Sequence, residues 1–65
     1  MENEMKREAI IDNEVYEVDI FDSEGSSLLT AYITGLQSAE EYKQHQLAWF
    51  TQFGYTRAYA IITPK

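Results

Sequence analysis

Cysteine is absent from the 65 residues. That removes a disulfide framework, a thiolate metal site and a cysteine nucleophile together. Basic residues are scarce: five Lys and Arg stand against eleven Asp and Glu, for a net charge of −6. Binding to bare DNA or RNA needs an excess of Lys and Arg to displace counterions, so direct nucleic-acid binding is not expected. Proline occurs once and glycine only at 25, 35 and 54, which leaves neither a Pro-rich linker nor a glycine-rich phosphate loop. No apolar run approaches the roughly 18 residues of a membrane span. Met1–Glu8 is charged throughout most of its length and lacks the apolar stretch of a signal peptide, so a cytoplasmic protein is expected.

What remains is enough for one small core. Hydrophobic residues make up 45% and aromatics 14% of the chain, too apolar a mixture for a disordered acidic segment. Five Tyr, three Phe and one Trp supply much of the buriable surface, at about 150–250 Å² each. A domain this short buries only roughly 60% of its unfolded surface. Little material is left for a cleft, and the size argues against catalysis.

Hydrophobic periodicity defines four elements after a charged arm over 1–8, within a single domain over 9–65. Val15–Asp22 alternates, with Tyr16, Val18 and Ile20 on one side and Val15, Glu17, Asp19 and Phe21 on the other; that is a strand pattern. Ser23–Ser26 reads as a hairpin loop with Gly25 at a positive-φ position. Leu28–Thr34 is a second strand. Ser38-Ala39-Glu40-Glu41 has the form of a capping box, in which the Ser oxygen accepts an early helix N–H and Glu41 reaches back. The helix is expected to run to about Phe53, with Gly54 just past its end. Ala39, Tyr42, Trp49, Phe50 and Phe53 form its apolar stripe, interrupted by Gln46. Tyr55–Thr63 is a third strand that ends at Pro64. The fold class is therefore α+β in the order β-β-α-β. A right-handed crossover and an antiparallel central strand give a three-stranded sheet of order 2-1-3, with the helix on one face.

Catalytic and metal-binding patterns are weak. His45 is the single histidine and has no second His or Cys as a partner, so it reads as a solvated helix residue. Glu17 and Asp19 share a strand face, but a carboxylate pair needs a cleft to act on a glycoside. Asp12-x-Glu14 lacks the rest of a calcium loop. No enzyme activity, metal or cofactor is expected.

The face of the sheet away from the helix is the candidate partner surface. It is expected to carry Glu17, Asp19, Phe21, Tyr32, Arg57 and Tyr59, with Val15, Thr30 and Ile61. Tyr and Arg are enriched in interface hot spots; the alternative is that these aromatics merely stabilise cross-strand pairs. Arg57 either pairs with an acid on the first strand or meets a partner carboxylate bidentately. Nine of the eleven acids fall within the first 24 residues. This acidic stripe either complements a basic partner surface, with electrostatic steering of association, or keeps exposed strands soluble.

Taken together, the layout resembles the small podovirus proteins that inhibit host bacterial RNA polymerase. The matching features are Ile11-Asp12-Asn13 before the first strand, Ser23-Glu24 with Ser26 in the hairpin, and acids in the first helical turn. They continue with Trp49 in the helix's second half, Gly54-Tyr55, Thr56-Arg57 and the closing Pro64-Lys65. The resemblance covers residues 11–65 with small gaps. It implies a non-enzymatic inhibitor in the host bacterial cytoplasm that binds the jaw of the largest polymerase subunit and the sigma factor. Promoter DNA would then be kept from loading during open-complex formation. Arg57 would be the essential strand arginine, and the acidic stripe would compete with DNA. The chain differs from the family at Tyr59, where a second arginine stands, at Leu28-Leu29, where a glutamate stands, and at Lys43, Gln44 and Gln46 in a less acidic helix. Two other readings fit the same sequence: an acidic DNA mimic aimed at another host enzyme, such as an anti-CRISPR or anti-nuclease protein, and a small self-associating structural module. Either a monomer or a weak homo-oligomer is expected.

Overall fold

Period-two alternation in the first strand divides the molecule into two layers. The computed structural model describes residues 12–65. The arm expected over 1–8 and the Ile10-Ile11 pair lie outside the described residues. The elements are β1 (Val15–Phe21), β2 (Ser27–Thr34), α1 (Leu36–Gln52) and β3 (Tyr59–Pro64). β1 is central and antiparallel to both neighbours, giving the order β2-β1-β3. This is the expected α+β fold, with α1 across one face of the sheet.

Val18 and Ile20 on β1 are fully buried, as is Ala39 on α1. Tyr16, Leu28, Leu29, Ile33, Tyr42, Leu47, Phe50, Ala60 and Ile62 pack around them. The register explains this set. Val18 lies between Ala31 and Ile62, and Ile20 between Leu29 and Ala60, so one face of every strand is apolar. Between β1 and β2 the chain turns on Asp22, whose carboxylate accepts the N–H groups of Glu24 and Ser26, both at 2.9 Å. A register shift between Ile20 and Phe21 accommodates this loop.

The helix ends where expected, with Gly54 just past it, but it does not start on a side-chain capping box. α1 begins at Leu36, and its N-cap is Gly35, with no side-chain cap from that residue. Ser38 is already helical, so the box expected at Ser38–Glu41 does not form, and Glu40 and Glu41 lie beyond the first turn, which holds no acid. Asp12, 24 residues upstream, supplies the missing acceptor: its Oδ2 takes the Leu36 N–H at 2.9 Å. Glu40 instead pairs with Lys43 at 3.0 Å, and Glu41 accepts from Gln37 at 3.4 Å. At the other end Gly54 N–H donates to Thr51 (3.1 Å) and Tyr55 N–H to Phe50 (3.0 Å). These are the two bonds of a Schellman motif, closed by the contact between Tyr55 and Phe50, whose rings meet edge-on at 5.6 Å.

The apolar stripe of the helix is also rotated from the expected one. The half-buried and buried positions are Ala39, Glu40, Tyr42, Lys43, Gln46, Leu47 and Phe50. Leu47 belongs to the core, whereas Trp49 and Phe53 are 52% and 63% exposed. At about 100° per residue Trp49 sits roughly 80° from Ala39, on the flank of the stripe. Phe53 points along the stripe but lies past the last helical residue, where it packs on Trp49 at 4.5 Å. Gln46 lies in the stripe and is half-buried.

Gly35 holds φ 93° and ψ 131°, a region that side chains with a Cβ avoid. An added Cβ would meet only ordinary contact, 3.5 Å from the Asp12 carbonyl oxygen, so the cost is that of the backbone conformation. Gly35→Ala is therefore expected to cost about 1–3 kcal/mol, measured by urea denaturation. A loss below about 0.5 kcal/mol would show that the β2–α1 joint relaxes freely.

Candidate partner-binding surface

Cross-strand register assembles the open face from residues far apart in sequence. Phe21 lies beside Tyr59, Asp19 between Thr30 and Ile61, and Glu17 between Tyr32 and Thr63. The Phe21 and Tyr59 rings stack at 5.3 Å with 28° between their planes. Tyr32 is 62% exposed and Ile61 49%, so no second layer covers this side among the described residues. The outcome is a row of aromatics and Ile61 around two carboxylates.

Each carboxylate is held in place. Asp19 Oδ1 accepts the Thr30 hydroxyl at 2.8 Å. Glu17 Oε1 lies 3.0 Å from Lys65 Nζ. The hydrogen bond to Glu17, and then its charge, raise the Lys65 pKa above the usual lysine value. The pair keeps its side chains partly solvated, so it orients Glu17 more than it stabilises the fold.

Of the six residues expected on this face, Glu17, Asp19, Phe21, Tyr32 and Tyr59 are brought together. Arg57 is not. β3 begins at Tyr59, and residues 55–58 form a turn closed by the Ala58 N–H donating to Tyr55 at 3.2 Å. The reason is the Schellman ending: a helix stop that uses Tyr55 as its second residue leaves too little chain to begin a strand there. Arg57 lies instead in a shallow groove at the end of the sheet, with Asp22, Glu24, Gly54 and Tyr55. Among the described residues no carboxylate lies within ion-pair distance of Arg57, so of its two alternatives the pairing with a β1 acid does not form.

The acidic stripe divides as well. Asp12 gives both oxygens to backbone N–H groups, those of Glu14 before β1 and Leu36 at the start of α1, and Asp22 gives Oδ1 to two in the hairpin. Backbone bonds from Leu36 and then Glu14 hold the Asp12 carboxyl below its usual pKa. Glu17 and Asp19 are the acids of the open face itself.

The helix end adds an aromatic cluster that periodicity misplaced. Trp49 meets Phe50 edge-on at 5.2 Å and Phe53 at 4.5 Å. The Gly54-Tyr55 pair was the available signal, because a Schellman ending brings Tyr55 back onto Phe50. His45 is exposed next to Trp49, and among the described residues no group of three His, Asp or Glu side chains could hold a metal ion. No helix among the described residues is long and apolar enough to cross a membrane.

Comparison with protein-family models, curated proteins and solved structures gave no match.

Proposed function

We propose that the open face of the sheet docks on a protein, and that the partner is a bacterial RNA polymerase whose promoter loading the chain blocks in the host cytoplasm. The observation that carries this reading is the uncovered face itself. It presents a preformed Phe21–Tyr59 stack, Tyr32 and Ile61 beside two oriented carboxylates, Glu17 and Asp19. Aromatics that are already stacked lose little side-chain freedom on binding. The carboxylates favour a basic surface, and an enzyme that holds DNA has one. The choice of polymerase rests on the resemblance in element order and short motifs. Arg57 stands outside this face, so the docking reading places the binding energy on the aromatics.

The test uses purified polymerase holoenzyme and a promoter template. The full chain is expected to bind the holoenzyme and reduce open-complex formation. The double variant Phe21→Ala/Tyr59→Ala is expected to bind at least about thirtyfold more weakly, the loss of one strong hot spot, while keeping its native circular dichroism. Arg57→Ala should lose less. No binding by the wild type, or unchanged affinity in the double variant, would overturn the reading.

A further inference from the structure

The two outer strands present unlike free edges. Gly35 N–H donates to the Glu14 carbonyl at 2.8 Å, and this pair continues the Val15↔Thr34 register. Antiparallel ladders alternate bonded and non-bonded pairs. Ile33, Ala31 and Leu29 therefore exchange bonds with Tyr16, Val18 and Ile20. The backbone N–H and C=O groups of Thr30, Tyr32 and Thr34 point away from the sheet. On the opposite side Lys65 N–H donates to the Val15 carbonyl at 2.9 Å, in phase with the Glu17↔Thr63 pair. The outward groups of β3 thus belong to Ala60, Ile62 and Pro64.

Pro64 has no N–H to offer, and β3 is only six residues long, so its edge is blunted. β2 has eight residues, SLLTAYIT, with no charge, proline or glycine. Natural edge strands normally carry a charge, a proline, a bulge or a cover against further pairing; the one irregularity of β2 lies at its start, opposite the Ile20/Phe21 step, and Leu29–Thr34 is regular. Among the described residues nothing pairs with the outer edge of β2.

We propose that this edge pairs antiparallel with the same edge of a second copy, joining two sheets into one across a two-fold axis. Three observations select a second copy. First, Gly25–Ala39 contains no charged residue in a chain of net charge −6, so this is the stretch at which two copies approach with least repulsion. A basic partner strand would find no carboxylate on it. Second, the strand suits itself. With Tyr32 opposite Tyr32 of the second copy, Thr30 faces Thr34 on the open side, and the Tyr–Tyr and Thr–Thr pairs are both favourable across strands; on the helix side Ala31 faces Ile33, apolar against apolar. Third, only three residues of the described chain are fully buried, whereas Leu28, Leu29 and Ile33 at this margin are half-covered. A small domain without disulfides gains core by oligomerising.

The test needs no polymerase, so its outcome is independent of the docking reading. An edge this short buries less than a standard interface, and a Kd between roughly 1 µM and 1 mM is expected. In sedimentation equilibrium the mass of the full chain should rise with concentration from 7.6 kDa towards twice that value. Hydrogen exchange should slow with concentration at the Thr30, Tyr32 and Thr34 amides, whereas Ala31 and Ile33 stay slow at every dilution. Tyr32→Pro removes an outward N–H without touching a bond to β1 and should remain monomeric, while Tyr32→Ala should still dimerise. If Tyr32→Pro fails to fold, the odd-even exchange pattern of the wild type decides alone. A constant monomer mass overturns the proposal, and so does a dimer that leaves Thr30, Tyr32 and Thr34 in rapid exchange.

Discussion

Ile20→Ala is expected to leave little folded protein at 37 °C. Ile20 and Val18 are the largest side chains that are fully buried. Ile20 stands between Leu29 and Ala60 at the centre of the sheet. Truncating a buried isoleucine costs about 2–5 kcal/mol, through lost transfer energy and the cavity left behind. At the usual 0.05–0.15 kcal/mol per residue, a chain of this length holds only about 3–10 kcal/mol in total. The loss is thus comparable with the whole stability, and the midpoint of thermal unfolding should fall by more than about 10 °C. Ile61→Ala is the control, because Ile61 lies on the open face and is 49% exposed. Its midpoint should move by only a few degrees. Equal shifts for the two variants would mean that the open face is covered in solution and that the assignment of layers is wrong.

That division into layers was readable from alternation alone. Tyr16, Val18 and Ile20 face the helix, and Glu17, Asp19 and Phe21 face away, because a pleated strand leaves no other choice. The sheet order followed from the helical crossover between β2 and β3. What was not readable arose from contacts between distant segments. Nothing local marks Asp12 as the acceptor for Leu36, so Ser38 looked like the cap. The strand assigned to Arg57 failed for a related reason. Residues 55–58 have strand-like composition, but the chain uses Tyr55 to close the helix first. The candidate face survived these errors because its members lie in the register of β1, whereas the residue taken from outside that register, Arg57, did not reach it. The apolar stripe shows a limit of a different kind: the helix stops where Gly54 marks it, but a residue at the right angle on the cap, Phe53, packs on Trp49 and not on the sheet.

Asp12 carries the prediction with the widest reach, because one carboxylate joins three segments. Its oxygens accept the N–H of Glu14 at 2.9 Å, the N–H of Leu36 at 2.9 Å and the hydroxyl of Tyr16 at 3.1 Å. Asp12→Ala removes the acceptor at the start of α1 and the anchor of the strand entry together. It should lower the thermal midpoint by about 5 °C or more, as loss of a helix cap does in a domain of this size. Acid titration separates charge from hydrogen bonding. The folded-state pKa of Asp12 is depressed, chiefly by the Leu36 and Glu14 N–H groups. Its contribution is therefore complete above the unfolded value of about 3.8 and is lost as pH falls through the lower folded value. Asp12→Asn keeps an acceptor oxygen but cannot titrate. The stability gap between wild type and Asp12→Asn should stay constant above about pH 5 and close as the pH drops below 4. Alkali tests the same contact from the other side. Tyr16 has its pKa raised above 10, first by desolvation and then by its bond to Asp12. That contribution is present below pH 10 and lost as pH rises through the folded value. Removing the Asp12 charge should bring the Tyr16 titration, followed by phenolate absorbance, back towards 10. A Tyr16 titration that does not move, with an acid limb identical in wild type and Asp12→Asn, would show that Asp12 does not hold the start of the helix.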